Sequence, residues 1–493
     1  MPRLTFAMLA GMMIAGTLCA QPESLALESR RGKELMAAGR FADAVRVYEG
    51  LVAAMPANPG LRLNLAMALH MSGQDLKAIP QFEAVLKQQP NALPALMLLG
   101  ASHMRTGNPA KAIPMLEKAI GLAPEDLQGR AMLADALLMT DRAERAVPHL
   151  RKLAAAQPGN PRAWYALGKA CETVAQRAFE LLQKQGPDSP WWLSLAADAR
   201  LSEGRNSAAL ALYRAALAKQ PALRGAHARL AEIYRKTGHP DWAAQEEAAE
   251  RKIGQPACAT PTSECQFVKG RNELALSSAL ARSTPESLYW RSRAANEMAR
   301  EAFVRLAKLP PSVESHEVMA ELHRNQGRHA ESIAEWKAAL ELAPGDQRLE
   351  QELLMSVYMS RDYAASEKLA RALVAKDASV AELHFILGDS LMNQQQPEAA
   401  MKELREAIRL KGGYLDARAV LGRALMQIGQ PEQALPHLKA ALPVDTDGSL
   451  HFQLSRAYLG TGRPDLAAEA LKTYQKLRQV AAPEPSVIEP PGR

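Results

Sequence analysis

The sequence predicts an all-α solenoid, in which helical hairpins stack side by side, and three observations support this prediction. Glycine, alanine and proline recur at intervals of 34 residues, as shown by the series Gly39, Gly73, Gly107; Ala44, Ala78, Ala112, Ala146; and Pro56, Pro90, Pro124, Pro158. Aromatic residues make up only 5% of the chain while alanine and leucine are plentiful, which favours helices over strands. The 493 residues exceed the roughly 250–300 that one hydrophobic core can serve, so a repeat array or several domains are expected.

Each repeat reads as two helices joined by a tight turn, and residues 93–126 show the pattern. Leu96, Leu99 and His103 follow helical spacing, so the first segment is an amphipathic helix. Gly107 then supplies a backbone position suited to positive φ. The second helix carries its apolar stripe at Ala112, Leu116 and Ala119, and Pro124 ends the unit.

This pattern resembles the tetratricopeptide repeat (TPR), whose units carry, at fixed offsets, a bulky residue, Leu-Gly, an aromatic residue, Gly, Ala, a second aromatic residue, Ala and Pro. Trp164, Leu167 and Gly168 match its opening, and Gly327 begins a later match that continues through Trp336, Ala339 and Pro344. The resemblance implies a right-handed superhelix of about twelve to fourteen hairpins. Units begin near residues 25, 59, 93, 127, 161, 190, 224, 313, 347, 381, 415 and 448, with degenerate units between 258 and 312. Some copies depart: Asp141, Arg361 and Gln395 replace the turn glycine, and Ala378 and Gly412 replace the terminal proline.

The repeat is interrupted twice, in stretches that lack a Gly or Pro to form the turn. Residues 163–185 and 287–309 are each predicted to be one long helix; the alternative is a tight turn near Val174 or Met298 that keeps the hairpin. The two stretches match each other at an offset of 124 residues, including Phe179 with Phe303, so a module has been duplicated together with its irregularity.

The first twenty residues predict a secretory signal peptide cleaved after Ala20. Arg3 is followed by an apolar stretch from Leu4 to Leu18, which at about 15 residues is short for the alternative of an uncleaved membrane anchor. Lipidation at Cys19 is a further alternative, although Leu18 directly before the cysteine departs from that pattern. We therefore expect an exported protein, periplasmic or secreted, with no integral membrane segment after cleavage.

Export implies an oxidising compartment, and the mature chain retains three cysteines. Cys258 and Cys265 flank a short polar segment and are predicted to form a disulfide. No second Cys or His pair lies nearby in sequence, so a metal site is not expected. Cys171 lies in a helical pattern and is predicted to be free and buried. These features divide the chain into a signal peptide (1–20), an N-terminal array (21–257), a cysteine-containing connector (258–285), a C-terminal array (286–478) and an extended, mobile Pro-rich tail (479–493).

The sequence predicts no catalytic residues, no metal site and no cofactor. Phosphate-loop and nucleophile-elbow motifs are absent, and His316 and His323 are seven residues apart, about 10 Å along a helix, which is too far for one metal ion. Four histidines recur at the repeat position that Trp164 occupies elsewhere, which indicates packing: His227, His316, His384 and His451. The formal net charge of +7 is too dilute over this length to suggest nucleic acid as a partner.

In the family that the chain resembles, the first helix of each unit lines a concave groove that accepts peptides or partner helices. The carboxylate-clamp subset is not matched, because Ser29, Lys33 and Asn64 do not complete its Lys and Asn pattern. The asparagine-ladder subset is not matched either, since Leu98 and Met132 follow Asn64 in the equivalent places.

Methionines occupy the early groove instead, and we predict that they bind a partner: Met67, Met71, Met97, Met104 and Met139. Methionine suits adaptable apolar contacts. The alternative is that they are core, although Leu65, Leu69, Leu99 and Leu133 already supply a core stripe. The predicted function is an exported, non-enzymatic scaffold that binds a protein or peptide partner, possibly within an envelope secretion or assembly complex. The alternative is an accessory glycan-binding or enzyme-recruiting module of a polysaccharide system, against which the scarcity of aromatic residues on the first helices argues.

Overall fold

The protein is all-helical over the residues that the structure, a computed structural model, describes: 13–256, 258, 260–481 and 490. Residues 1–12 of the predicted leader (1–20) and most of the predicted tail (479–493) lie outside them. The chain is 79% helical, with 26 α-helices in a repeated arrangement and no strand in the described ranges. The all-α repeat fold predicted from the 34-residue period is therefore confirmed.

The helices fall into ordinary hairpins and a few exceptions. Eleven pairs of consecutive helices pack as hairpins in the described part of the chain. They are α1 (Met13–Ala37) with α2 (Phe41–Ala54), α3 (Pro59–Met71) with α4 (Asp75–Gln88), α5 (Leu93–Arg105) with α6 (Pro109–Leu122), α7 (Leu127–Met139) with α8 (Ala143–Ala156), α10 (Pro190–Ser202) with α11 (Asn206–Lys219), α12 (Ala226–Lys236) with α13 (Pro240–Ile253), α17 (Val313–Asn325) with α18 (His329–Leu342), α19 (Gln347–Met359) with α20 (Tyr363–Lys376), α21 (Ala381–Asn393) with α22 (Pro397–Leu410), α23 (Leu415–Gln427) with α24 (Pro431–Ala441), and α25 (Ser449–Gly460) with α26 (Pro464–Ala481).

The exceptions are the two stretches without a turn signal and the connector between them. α9 runs unbroken over Pro161–Gln185 and α16 over Pro285–Leu306, so the long-helix prediction is confirmed and a turn at Val174 or Met298 is ruled out. The connector contains two short helices, α14 (Ser263–Val268) and α15 (Asn272–Leu280).

Small residues let the two helices of a hairpin approach closely. Gly100 is the eighth residue of α5, and a Cβ placed on it would lie 2.7 Å from the side chain of Leu116, sixteen residues later on α6. Gly388 with Leu404 and Gly422 with Leu438 repeat this contact. The Leu-Gly element of the sequence motif therefore marks the point where a second-helix leucine lies on the first-helix backbone.

The inter-helix turn is kept even where glycine is missing. Asp141, Arg361 and Gln395, the three residues that replace the turn glycine, all adopt positive φ, between 61° and 64°. The left-handed backbone conformation raises the conformational energy of an L-residue with a side chain by about 1–2 kcal/mol. The hairpin packing on either side therefore imposes the turn geometry on residues that do not favour it.

The helices group into two compact units. One contains residues 13–178 together with 270–277 and 291–305; the other contains 179–269, 278–290 and the residues from Leu306 onward. The predicted domain boundaries near 257 and 286 do not coincide with this grouping. In the first unit, residues 291–305 pack against α9 in the place of its missing hairpin partner. A division of the chain into consecutive segments does not capture this contact.

Among the described helices, none combines the length and the hydropathy that crossing a membrane requires.

Candidate functional site

The first helices of the N-terminal hairpins form a continuous layer. Helix α5 contacts both α3 and α7, whereas the second helices α4, α6 and α8 make no comparable contact with one another. Helices that lie closer together on one side of a stack place the inner curve on that side. The first helices therefore pack against one another from repeat to repeat, which is the arrangement expected if they line the concave side that the family resemblance implies.

One face of these first helices carries all five predicted methionines, and we call them the methionine face: Met67, Met71, Met97, Met104 and Met139. Met67 and Met71 are the ninth and thirteenth residues of α3, Met97 and Met104 are the fifth and twelfth residues of α5, and Met139 is the thirteenth residue of α7. Residues separated by four, seven and eight positions share one side of a helix. The leucine stripe lies at other places and is at most 4% exposed: Leu65, Leu69, Leu99 and Leu133.

The methionines of this face differ in exposure. Met71 is 50% exposed and Met139 is 62% exposed, whereas Met67, Met97 and Met104 are half-buried. Met67 packs against the hydrophobic core of the first repeats. The Sδ and Cε atoms of Met97 lie over Gly129 of the next first helix, 2.8 Å from where a Cβ would stand. The packing interpretation therefore holds in part for Met67 and Met97, while Met71 and Met139 are free of the core.

The same face carries an acidic residue, Asp135. It occupies the same helix place as Met67, two hairpins further on, and its side chain is exposed. Burial by the surrounding chain nevertheless raises the pKa of this carboxyl, and nearby Arg162 acts in the opposite direction. Neighbouring groups therefore shield this carboxyl from part of its water although its side chain is exposed.

A buried polar cluster joins the second and third hairpins beside the methionine face. His70 Nδ1 lies 2.6 Å from Asp75 Oδ1 and 2.9 Å from Ser102 Oγ, and Arg105 Nε lies 3.0 Å from Asp75 Oδ2. Serine, histidine and aspartate are the residue types of a nucleophilic triad, but here both contacts use the same ring nitrogen. A triad needs the serine and the carboxylate on opposite nitrogens, and Ser102 is also fully buried. The cluster therefore connects repeats and does not form a nucleophile.

The recurring histidines also connect elements of the repeat. In three hairpins the ring Nδ1 lies 2.5–2.7 Å from a glutamate nineteen residues later on the second helix: His227 with Glu246, His316 with Glu335, and His384 with Glu403. His451 contacts Asp445 Oδ2 at 2.5 Å instead. The structural role predicted for this position is thus observed, with a polar contact where simple packing was expected.

The side chain at this repeat position also donates a hydrogen bond to a backbone carbonyl at the end of the preceding repeat. Trp164 Nε1 donates to the Pro158 carbonyl at 2.9 Å, Arg62 to that of Pro56 at 2.8 Å, and Arg418 to that of Gly412 at 2.9 Å. His384 Nε2 likewise lies 3.2 Å from the Ala378 carbonyl, so side chains as different as Trp, Arg and His connect these hairpins to the carbonyl six residues before. Sequence reasoning missed this link, although the fixed spacings of six and nineteen residues were available to find it.

The equivalent face of the C-terminal hairpins is polar, and its charges pair with one another. Both carboxylate oxygens of buried Glu317 bind Arg348, at 2.5 and 2.9 Å. Buried Asp389 accepts from Tyr358 Oη at 2.8 Å and from Arg423 at 3.0 Å. Burial, with the Asp389 charge as a further cause, raises the pKa of Tyr358. This face therefore offers a partner few unsatisfied charges.

The cysteines adopt the predicted states in the structure. Cys258 and Cys265 are joined by a disulfide with their Cα atoms 5.7 Å apart, and Cys171 is a free, buried thiol. Burial raises the pKa of Cys171 to about 12, so its reactive thiolate form is suppressed. Within the described residues, no group of His, Cys, Asp or Glu side chains is arranged to hold a metal ion.

Comparison with protein families now identifies the repeat. Family models described as tetratricopeptide repeat match residues 35–101, 103–170, 356–414 and 391–454. The chain is a tetratricopeptide-repeat protein. The TPR matches at residues 35–101 and 103–170 extend over the three hairpins whose first helices, α3, α5 and α7, carry the methionine face. They also include Gly168 in α9.

Several solved structures resemble this TPR protein at low sequence identity. The MamA protein matches 36% of the chain and 98% of its own length at 20% identity, with a TM-score of 0.30. YrrB, a TPR protein with an unusual peptide-binding site, matches 34% of the chain and 87% of its own length at 18% identity, with a TM-score of 0.29. The Cut9–Hcn1 hetero-tetramer matches 92% of the chain and 93% of its own length at 13% identity, with a TM-score of 0.34. No curated protein sequence matches the chain.

Proposed function

We propose that this TPR protein is an exported, non-enzymatic scaffold whose methionine face receives an amphipathic segment of a partner protein. The observation that carries the proposal is the separation of two stripes on the same helices. The leucine stripe is buried between helices, while Met71 and Met139 on the same first helices stay exposed. Exposed methionine on a surface that already has a complete core is suited to a partner with apolar side chains.

The electrostatic environment supports an apolar partner over a charged one. Arg105 occupies the same helix place as Met71 and Met139, but its guanidinium is held by Asp75 and by the His70 carbonyl at 3.0 Å. The exposed carboxyl of Asp135 is the main charge left on this face. Contact with methionine side chains therefore supplies most of the binding free energy, and Asp135 favours a segment with one basic residue near its centre.

A capture experiment tests this function. The mature protein, immobilised, is exposed to envelope extract as wild type, as the double variant M71Q/M139Q and as the control L122Q, which alters a 45% exposed leucine on the second helix α6. We expect one partner to be retained by wild type and L122Q and lost from M71Q/M139Q. Equal retention by all three would remove the methionine face from the function.

Export is a separate part of the proposal, and the leader sequence and the paired cysteines support it. Residues 1–20 have the composition of a signal peptide, and a disulfide is stable in an oxidising compartment. N-terminal sequencing of the protein from a fractionated native host should find a chain that begins at Gln21, outside the cytoplasm. Recovery of the intact chain from the cytoplasm would contradict export and leave the binding proposal standing.

The role within an envelope secretion or assembly complex follows from export combined with partner binding. The glycan-recruiting alternative has less support. Sugar stacking needs an open aromatic face, whereas Tyr358 and Phe385 on the C-terminal first helices are half-buried and packed edge-on to each other, with ring centres 6.4 Å apart.

A further inference from the structure

A cavity of about 420 Å³ lies within the first unit, among α8, α9, α15 and α16. Its walls are mostly apolar, and Leu167, Met298 and Ala302 contribute buried side chains while Trp164 contributes a half-buried ring. Arg271 and Arg305 stand exposed at its edge. It is lined by the second helix α8, the long helices α9 and α16, and the connector, and none of the five methionines of the methionine face contributes to it.

The cavity exists because α9 has no hairpin partner of its own. In an ordinary repeat, one first-helix residue corresponds to Trp164, and the residue nineteen positions later lies on the second helix. That residue packs back against the first helix, as Glu403 does against His384. In α9 the residue at that distance lies about 28 Å further along the same helix, so it cannot return. Helix α16 takes the partner's place, with the Phe303 ring against Gly168, and the short helix α15 closes only one side.

The charges around this cavity are unevenly satisfied. Arg151 pairs with Glu273, and Glu301 accepts a hydrogen bond from the buried Asn272 at 2.9 Å. The guanidinium groups of Arg271 and Arg305 form no ion pair or hydrogen bond with any described side chain. Two cationic groups without partners therefore stand beside an apolar space.

We propose that this cavity binds an apolar group that carries a carboxylate. The apolar group lies against Trp164, Leu167 and Met298, and the carboxylate is held at the edge by Arg271 and Arg305. Guanidinium groups match a carboxylate in charge and in planar hydrogen-bond geometry. The volume falls within the range of about 300–1,000 Å³ that is usual for small-ligand sites, and a mostly apolar wall with a few polar groups is typical of them.

Titration calorimetry on the full mature chain tests the proposal with three probes. N-acetyl-L-leucine represents the carboxyl end of a peptide, octanoate represents a free apolar acid, and N-acetyl-L-leucinamide is the neutral counterpart of the first. We expect at least one of the two acids to bind, and its affinity to fall with rising salt because exposed arginines are screened. The probe that binds identifies the source of the ligand, and when N-acetyl-L-leucine binds, its amide should bind at least tenfold more weakly.

Two sets of variants locate the site. Replacing both cavity arginines in R271Q/R305Q should weaken acid binding about tenfold or more, and each single change should weaken it by about fivefold. R300Q is the matched control, because Arg300 lies on the same helix as Arg305, is exposed and pairs with Glu297 away from the cavity. Its affinity should equal that of wild type.

The outcomes that overturn the proposal are equally definite. No heat of binding with either acid at millimolar concentration would remove the site. Equal affinities for N-acetyl-L-leucine and its amide would remove the carboxylate from it. An equal loss in R300Q and R271Q/R305Q would show a general charge effect. The comparison of acid with amide uses wild-type protein, so it remains decisive even where a variant folds poorly.

Discussion

The ring of Phe303 on α16 lies directly against Gly168 on α9, although the two residues are far apart in sequence. In ordinary hairpins the glycine at this place receives a leucine sixteen residues later, as Gly100 receives Leu116. Helix α16 thus completes the repeat that α9 begins. The two irregular helices of the duplicated module therefore pack together in the first unit, because α16 supplies the hairpin partner that α9 lacks.

Replacing Gly168 by alanine should destabilise the protein by about 1–3 kcal/mol, because the new methyl group would stand within 3 Å of the Phe303 ring. Urea unfolding followed by circular dichroism measures the change. G121A is the matched control, since a Cβ at helical Gly121 meets nothing within 4 Å, and it should be neutral or stabilising by up to about 1 kcal/mol. Equal effects of G168A and G121A would contradict the close approach of α16 to α9.

The fold could be predicted from the sequence because each local signal agreed with the repeat. The glycine and proline positions indicate the hairpins, and the absence of both residue types from 169–185 and 287–309 correctly indicated long helices. The partnership of Gly168 with Phe303 could not be read in the same way. A helix without its hairpin partner exposes an apolar face, but sequence alone does not say which distant helix covers it.

The helix positions of the five methionines could be predicted from the sequence, whereas their exposure could not. Helical spacing placed the five methionines on one face, but it could not separate the half-buried Met67 and Met97 from the exposed Met71 and Met139. That separation depends on the neighbouring first helix, where Gly129 leaves room for Met97 to pack. The polar contacts of the histidine position could not be predicted in the same way, because recurrence in a repeat indicates packing without showing which group the side chain contacts.

The exposed and half-buried methionines should respond differently to glutamine. M71Q and M139Q should each change the free energy of unfolding by no more than about 0.5 kcal/mol, as expected for exposed positions. M97Q should cost about 1–2 kcal/mol, because its side chain packs on Gly129 and a buried amide loses hydrogen bonds to water. Thermal melts of the three variants provide the test, and a large fall in Tm for M71Q and M139Q would assign those residues to the core.

In native protein isolated without reductant, Cys171, Cys258 and Cys265 should differ in reactivity. Non-reducing peptide mapping should recover Cys258 and Cys265 in one disulfide-linked peptide pair, and Cys171 should react with iodoacetamide only after unfolding, because burial raises its pKa to about 12. Reduction of the disulfide should cost about 2–3 kcal/mol at most, since the loop that it closes is short. Free alkylation of Cys258 and Cys265 before reduction would contradict the pairing.

Stability should depend on pH through His227. The hydrogen bond to Glu246 raises the pKa of this histidine above 6.5, with the charges of Glu246 and Glu250 and the Pro221 carbonyl acting in the same direction and burial opposing them. Because the folded pKa lies above the unfolded one, this contribution is complete below about pH 6.5 and is lost as pH rises through the raised folded pKa.

Urea unfolding of E246Q and wild type at several pH values from 5.5 to about 9 tests this linkage. The variant should lose on the order of 1 kcal/mol at the acid end and should show a weaker decline of stability above pH 6.5. E247Q is the control, because Glu247 is the adjacent residue and pairs with exposed Arg235. Parallel pH profiles for wild type and E246Q would contradict the role of the His227–Glu246 contact.

Site-specific photocrosslinking in the native compartment tests whether Met71 and Met139 face a partner in the groove. A photoreactive amino acid is placed at residue 71, at residue 139 or, as control, at Leu122, which is similarly exposed on a second helix. The account predicts that residues 71 and 139 crosslink to the same partner and that residue 122 does not. Absence of a common adduct at 71 and 139, or an equal yield of it at 122, would contradict the claim.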